Sequence, residues 1–359
     1  MNKEVFAFEN QFAKYIGTKH AKMVNSGSSA NLLMIASAIL SPNIDLNPGD
    51  KVIVPAVSWS TTYFPLQQYG IKLIFVDVEL ETLNIDIKKV KKAIKNINGI
   101  KGILTVNLLG NPSNLEELKQ VSEEEKIILF EDNCESFGAS LNNKFCGTWG
   151  EMGTFSFFYS HHLQTMEGGM IVTDSDEISQ YIDSLRAHGW IRTLPKNNYI
   201  CDKTGDPFED SFKFVLPGYS VRPLEMSGAI GQVQLEKWPK MLKHRRKNAD
   251  YFKERFKNLD LVTQNENGFS SWFGFSIISE KTPREKITTS LLNEGIEIRP
   301  IVAGNFLRNP VKKFIDYEIF DNLKNSDIIH DCGFFLGNDS VNIEDKIDFA
   351  FNSISRVLN

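Results

Sequence analysis

Short apolar runs alternate with amphipathic segments through the first 130 residues of the chain. Four runs have the length and composition of buried strands, at residues 51–54, 73–77, 102–106 and 127–130. Between them, residues 86–95 and 114–125 place apolar side chains at the spacing of one helix face. This alternation predicts a parallel sheet flanked by helices, and hence an α/β fold.

The second half of the chain begins with helical periodicity at residues 224–256, where Arg and Lys lie on one face. The later pattern predicts strands at 272–278 and 296–300 and helices at 283–294 and 344–357. We therefore predict a large domain over residues 1–240 and a smaller C-terminal α+β domain over residues 241–359.

Composition and charge narrow the class of protein. The chain has 359 residues, 42% of them hydrophobic, and a formal net charge of −5, which does not favour a nucleic-acid partner. The longest apolar runs, such as residues 32–40, are too short to span a bilayer, and the first eleven residues show no signal-peptide core. Four scattered cysteines form no CxxC pair. We expect a soluble cytoplasmic protein with reduced thiols, no membrane contact and no bound metal.

The sequence contains neither GxxxxGK[ST] nor a GxGxxG after a strand, so a phosphate site must be sought outside these common motifs. One candidate is the segment of residues 25–31. This segment includes Gly27 and Ser28 and precedes an apolar helix. Small residues let a helix N-terminus approach an anion closely, and the helix dipole favours its charge. An ordinary helix N-cap accounts for the same residues, so both interpretations stay open at this point.

Polar and aromatic residues follow two of the predicted strands. Glu131, Asp132 and Glu135 close one strand, and Trp59 follows another. A carboxylate at the carboxyl end of a parallel strand faces the ligand crevice of such a sheet, where it can keep a heteroaromatic nitrogen protonated. Trp59 can stack on a flat ring. Helix capping by Asp132 and simple core packing by Trp59 are the alternatives.

Residues 153–170 predict a strand, a polar turn with a glycine pair, and a second strand. The turn holds His161 and His162. A metal site there is disfavoured, because adjacent side chains on an extended backbone point apart. The position of His161 beside Ser156 and the Glu-Gly-Gly sequence at 167–169 favours a catalytic role.

In these four stretches the sequence resembles the nucleotide-sugar aminotransferase family, whose members are pyridoxal 5′-phosphate (PLP) enzymes of the aspartate aminotransferase fold, fold type I. The resemblance implies PLP binding by the large domain and a homodimer with shared active sites. The residues that match the family's cofactor contacts are Gly27, Ser28, Trp59, Asp132, Glu135, Ser156 and, from the neighbouring subunit, Ser220. The family usually has Asn at the position of Ser220, and it usually has a helix and strand upstream of the residues that match 5–9.

His161 stands where aminotransferases of this family carry the lysine that binds PLP covalently. Histidine cannot form that bond but can act as a base. The substitution resembles the family's 3-dehydratase branch. It implies noncovalent PLP that cycles through pyridoxamine 5′-phosphate, with L-glutamate as co-substrate. The expected reaction removes the 3-hydroxyl of GDP-4-keto-6-deoxy-D-mannose, releases ammonia and 2-oxoglutarate, and leads to colitose for surface polysaccharide. Expected substrate-binding residues are His188, Arg222 and Arg299.

Two other functions remain open from the sequence alone. One is a nucleotide-sugar aminotransferase with a displaced lysine, for which Lys144 is the nearest upstream candidate. The other is a cofactor-free sensor or scaffold that retains the fold. A related dehydratase that acts on CDP-sugars uses an iron–sulfur cluster held by cysteines close together late in the chain. The spacing of the four cysteines here does not match that arrangement.

Overall fold

The computed structural model describes residues 1–358. Its α-helices are α1 (Lys3–Ile16), α2 (Gly27–Leu40), α3 (Ser60–Gln68), α4 (Ile87–Asn96), α5 (Leu115–Glu124), α6 (Asp176–Leu185), α7 (Pro207–Ser211), α8 (Glu225–Phe256), α9 (Arg284–Asn293), α10 (Lys324–Cys332) and α11 (Glu344–Leu358). Short 3-10 turns occupy Leu108–Gly110, Phe306–Arg308 and Pro310–Phe314. None of these helices combines the length and the apolar character that a bilayer-crossing segment requires.

The strands form a large sheet, a small sheet and a two-stranded hairpin. They are β1 (His20–Val24), β2 (Lys51–Pro55), β3 (Lys72–Val76), β4 (Ile100–Val106), β5 (Ile128–Asp132), β6 (Ser140–Leu141), β7 (Lys144–Phe145), β8 (Met152–Ser156), β9 (Gly169–Thr173), β10 (Val262–Thr263), β11 (Gly274–Ile278), β12 (Ile298–Arg299), β13 (Tyr317–Ile319) and β14 (Gly333–Gly337).

The large sheet has the order β1-β9-β8-β5-β4-β2-β3-β13. Strand β9 runs antiparallel to both of its neighbours, and the other pairs are parallel. Strands β8 and β9 are buried along their whole length, as expected for a sheet covered on both faces. The predicted α/β class and the mostly parallel sheet are confirmed.

Helix α4 illustrates how the local sequence sets these elements. Its apolar residues Ile87, Val90 and Ala93 recur at helical spacing and are buried. Asp86 caps the helix, and its side chain accepts hydrogen bonds from the backbone N–H groups of Lys88 and Lys89. The element therefore begins one residue later than the predicted 86–95, because the capping residue lies outside the helix.

The small sheet is antiparallel, with the order β10-β11-β14-β12. Phe252 of α8 stacks on Phe275 of β11, with ring centres 4.6 Å apart. Helix α8 passes through position 240 without interruption, and β13, from the C-terminal third, pairs with β3 of the large sheet. The division into domains at residues 240 and 241 remains a prediction. In the structure, helix α8 crosses this boundary, and strand β13, which belongs to the predicted small domain, pairs with the large sheet.

Candidate active site

A cavity of about 590 Å³ lies at the carboxyl edge of the large sheet, between this sheet and residues of the small one. Its walls come from the segments after β2, β4 and β5, the end of β8, the N-terminus of α2, and residues near β12 and β14. Eight residues singled out from the sequence line it: Gly27, Ser28, Trp59, Asp132, Glu135, Ser156, His161 and Arg299. The fold therefore brings together residues that are up to 272 positions apart in the sequence, from Gly27 to Arg299.

Gly27 opens helix α2 at the floor of the cavity. Ser26 caps the helix, and its Oγ accepts a hydrogen bond of 3.1 Å from the N–H of Ser29. A Cβ atom on Gly27 would lie 2.6 Å from the Cβ of Ser156 and 2.9 Å from the Sγ of Cys134. Only glycine lets the helix N-terminus approach β8 this closely, and the backbone N–H groups of Gly27 and Ser28, which precede the first bond within the helix, lie at the cavity wall.

Asp132 is 4% exposed at the end of β5, and three donors hold its carboxylate in place. Its Oδ2 accepts hydrogen bonds of 2.8 Å from both Asn31 Nδ2 and Thr62 Oγ1, and its Oδ1 accepts one of 3.1 Å from the N–H of Cys134. The hydroxyl of Thr154 donates to Asn31 Oδ1 at 2.6 Å and so fixes the amide. This carboxylate is therefore fixed in orientation, as a partner for a ring nitrogen must be.

Sequence reasoning missed Asn31 and Thr62 as partners of Asp132. Asn31 lies one helical turn after Gly27, on the same face of α2, so its position beside the cavity could have been deduced from helix geometry. Thr62 gives no comparable signal, because its contact with Asp132 depends on how α3 packs against α2.

His161 lies in the turn between β8 and β9, with its Nδ1 3.2 Å from Ser156 Oγ. Its ring centre is 5.2 Å from that of Phe273. Burial, followed by the positive charges of Arg245 and Arg299, lowers the pKa of His161 to about 4. The imidazole is therefore neutral at pH 7 and able to accept a proton.

The neighbouring His162 points away from the cavity. Its Nε2 lies 3.2 Å from the carbonyl oxygen of Ser271, and its pKa is well below the usual range, first because of burial and then because of the charge of Arg245. Within residues 1–358, no three His, Cys, Asp or Glu side chains are grouped as metal ligands.

Glu135 is a second titratable group in the cavity wall. Burial raises its pKa to about 7, although the N–H of Leu109 donates a hydrogen bond of 3.1 Å to its Oε2. The carboxyl group therefore exists in both protonation states near neutral pH. Trp59 forms an open part of the wall, and its side chain is 60% exposed.

The predicted substrate-binding residues occupy two places. Arg299 lines the cavity and donates a hydrogen bond of 3.0 Å to Glu297. Arg222 and His188 are paired at 3.2 Å and do not line the cavity in this chain, and neither does the exposed Ser220. Within one chain, Arg222, His188 and Ser220 therefore do not lie in the cavity that Arg299 lines, and their roles remain predictions.

No lysine is among the described residues that line the cavity. Lys144, the sequence candidate for a displaced cofactor lysine, lies in β7 with its Nζ 4.8 Å from the centre of the Trp149 ring. Neither Lys144 nor Trp149 lines the cavity. Lys144 therefore does not provide an amine that could bind an aldehyde in the cavity.

The cavity fits PLP on chemical grounds. It combines a glycine-floored helix N-terminus for a phosphate, a fixed carboxylate for a pyridine nitrogen and an aromatic wall for a ring. The residues that would hold these parts are Gly27, Ser28, Asp132 and Trp59.

Comparison with known proteins agrees with this geometry. The chain is 54% identical over 355 residues to GDP-4-keto-6-deoxy-D-mannose 3-dehydratase of Escherichia coli O55:H7, covering 97% of this chain and 91% of the relative. It is 51% identical over 362 residues to the enzyme of the same name from Yersinia pseudotuberculosis, with 99% and 92% covered. The crystal structure of a GDP-4-keto-6-deoxymannose-3-dehydratase with a trapped PLP-glutamate geminal diamine superposes with a TM-score of 0.96 at 52% identity, covering 99% of this chain and 93% of that one.

Residues 1–337 also match the family described as DegT/DnrJ/EryC1/StrS aminotransferases. The match spans the cavity and both sheets, and it agrees with the resemblance drawn from the four sequence stretches. This chain therefore belongs to the DegT/DnrJ/EryC1/StrS aminotransferase family.

Proposed function

We propose that the chain catalyses the PLP- and L-glutamate-dependent 3-dehydration of GDP-4-keto-6-deoxy-D-mannose to GDP-4-keto-3,6-dideoxy-D-mannose. The observation that carries the proposal is His161, paired with Ser156 in a cavity whose described lining includes no lysine. The names of relatives more than 50% identical support the same reaction. The reaction balances, because the oxygen lost by the sugar equals the oxygen gained when glutamate becomes 2-oxoglutarate and ammonia.

Different cavity residues would bind different parts of the cofactor. When bound, PLP supplies an electron sink and, in its amine form, the nitrogen that reacts with the 4-keto group. The N-terminus of α2, with Gly27 and Ser28, holds the phosphate without a covalent bond to the protein. Asp132 keeps the pyridine nitrogen protonated, and its three hydrogen bonds keep it aligned. Trp59 covers one face of the ring.

His161 acts as the base in this proposal. Its Nδ1 faces Ser156 Oγ, which leaves Nε2 for the proton that must be removed. The neutral imidazole takes up this proton, and the resulting imidazolium can return it to the departing 3-hydroxyl. A lysine at this position would instead bind the aldehyde and deliver a proton to carbon, which yields an amino sugar.

We further propose that the enzyme works as a cytoplasmic homodimer. Several large apolar side chains between residues 208 and 226 are more than half exposed, a pattern that favours a second copy of the chain as the covering partner: Phe208, Phe212, Phe214, Leu224 and Met226. Ser220 and Arg222 lie in this segment, and His188, which pairs with Arg222, follows the residue that bridges to Ser220. In the dimer they would contribute to the partner's site, with Arg299 binding anionic groups from within each subunit.

The free cysteines agree with a reducing compartment. We propose that the product lies on the route to colitose, a 3,6-dideoxyhexose of O-antigen in lipopolysaccharide.

The test is mass analysis of the product formed from GDP-4-keto-6-deoxy-D-mannose and glutamate. A sugar that has lost oxygen without gaining nitrogen supports the proposal. A sugar that has gained an amino group identifies an aminotransferase instead. The absence of a PLP absorbance band from protein incubated with the cofactor would point to the cofactor-free alternative.

A further inference from the structure

Arg245 is a buried cation on α8 without a carboxylate partner. Its side chain is 6% exposed, and Nη1 donates to the carbonyl oxygens of Trp272 and Phe273 at 3.2 and 3.4 Å. Its Nε has no hydrogen-bond partner, and among residues 1–358 no carboxylate oxygen lies within 4.0 Å of the guanidinium. Burial lowers the pKa of Arg245 to about 10, against an opposing effect of the Asp339 charge, so the group remains charged at neutral pH.

The carbonyl groups bound by Arg245 belong to the segment that packs on His161 and on the neighbouring His162. The ring centre of Phe273 lies 5.2 Å from that of His161 and 5.3 Å from that of His162. Trp272 has a φ of +49°, in the left-handed region that a bulky side chain disfavours. The hydrogen bonds from Arg245, together with one of 3.0 Å from Asn338 Nδ2 to the carbonyl oxygen of Trp272, therefore hold a strained turn in place against the proposed base.

We propose that Arg245 is a positioning residue for His161. Its guanidinium fixes the Trp272–Phe273 turn against the imidazole, and its positive charge, which no carboxylate contacts directly, adds to burial in keeping that imidazole unprotonated until the reaction delivers a proton to it. The proposal rests on the proposed function and deepens it, because it adds a second cause, beside burial, for His161 starting the reaction as a base.

Other charged groups also surround His161, so the contribution of Arg245 must be weighed against theirs. The charged or titratable side chains that line the same cavity are Asp132, Cys134, Glu135, Glu167 and Arg299, and His162 is adjacent in the chain. Arg299 is paired with Glu297, and its side chain is 49% exposed, so solvent and its partner screen its charge. Arg245 is buried and in direct contact with no carboxylate, and the nearby charge of Asp339 offsets only part of the effect of burial on its pKa. A buried charge without a partner acts over a longer range than a paired surface charge.

The experiment measures the protonation of His161 directly in the full-length protein. The NMR signal of its ring proton is assigned by its loss in His161→Asn and then titrated with pH. Arg245→Gln removes the charge but retains a donor for the two carbonyl groups, and Arg245→Lys retains the charge. We expect Arg245→Gln to raise the titration midpoint of His161 by about 0.5 to 1 pH unit and Arg245→Lys to leave it close to that of the unmodified protein.

Arg246→Gln is the matched control. Arg246 is the next residue on α8 and donates to the carbonyl oxygen of Ser270 at 2.5 Å, but its charge is paired with Glu266 at 3.4 Å. Its replacement should not move the midpoint. Equal midpoints for Arg245→Gln and Arg245→Lys, or an equal shift for Arg246→Gln, would overturn the proposal.

A second variant and a kinetic measurement test the same role of Arg245. If Arg245→Gln does not fold, Arg245→Met replaces it, because an apolar side chain of similar length removes the buried charge while Asn338 Nδ2 still donates to the carbonyl oxygen of Trp272 at 3.0 Å. The acid limb of kcat/KM should move with the NMR midpoint. An unshifted midpoint refutes the role of Arg245 whatever the substrate is, whereas an amino-sugar product refutes the proposed function and leaves the titration result unaffected.

Discussion

Replacing Gly27 with alanine tests how closely helix α2 must approach strand β8. The added Cβ would lie 2.6 Å from the Cβ of Ser156, 2.9 Å from Cys134 Sγ and 3.0 Å from Ser156 Oγ. An ordinary carbon–carbon contact is about 3.5 to 4 Å, so the helix N-terminus must move by about 1 Å. Overpacking of this kind costs about 1 to 3 kcal/mol, and the better helix propensity of alanine offsets about 0.5 to 1 kcal/mol of it.

The displacement should affect cofactor binding more than folding. The N–H groups that would hold the phosphate belong to the first turn of α2, and they move with the helix. Each 1.4 kcal/mol of lost interaction weakens binding tenfold, so we expect PLP affinity to fall by about 10- to 100-fold. Affinity is measured by absorbance titration of PLP, and the free energy of unfolding is measured from urea denaturation of the cofactor-free protein.

Gly337→Ala is the control for Gly27→Ala. A Cβ atom at Gly337 would meet nothing within 4 Å, so this variant should keep both its stability and its PLP affinity. If Gly27→Ala bound PLP as tightly as Gly337→Ala, the assignment of the phosphate to this helix N-terminus would be wrong.

Two further substitutions test the titratable groups of the cavity. His161→Lys should lose 3-deoxygenation and gain a PLP adduct that borohydride traps on the protein, and continued 3-deoxygenation would show that His161 is not the base. Glu135 has a pKa of about 7 when folded and an ordinary lower value when unfolded, so its burial reduces stability as pH rises through this range. Glu135→Gln should therefore gain urea resistance over the parent protein at pH 8 but not at pH 4, and an equal difference at both pH values would contradict this linkage.

The sequence was most informative where residues act within one element. The buried strands and helix α4 could be predicted because their periodicity is local, and the cavity residues Gly27, Asp132 and His161 could be found because each lies in a recognisable motif. The partner of Asp132 on α3, Thr62, could not be found, because helix packing determines that contact. Arg245 was equally hidden, because nothing in the pattern of α8 distinguishes it from the salt-bridged Arg246 beside it.

Strand β13 has a consequence for how the protein is made. It extends the parallel sheet at the edge of β3, where Tyr317 is opposite Leu73, so the two partners are separated by more than 240 positions. A nascent chain that has emerged only as far as residue 240 therefore exposes the unpaired backbone of β3, which is a template for aggregation. The last strand of the sheet can be added only late in translation, and a truncation near the middle of the gene should yield insoluble product rather than a smaller working enzyme.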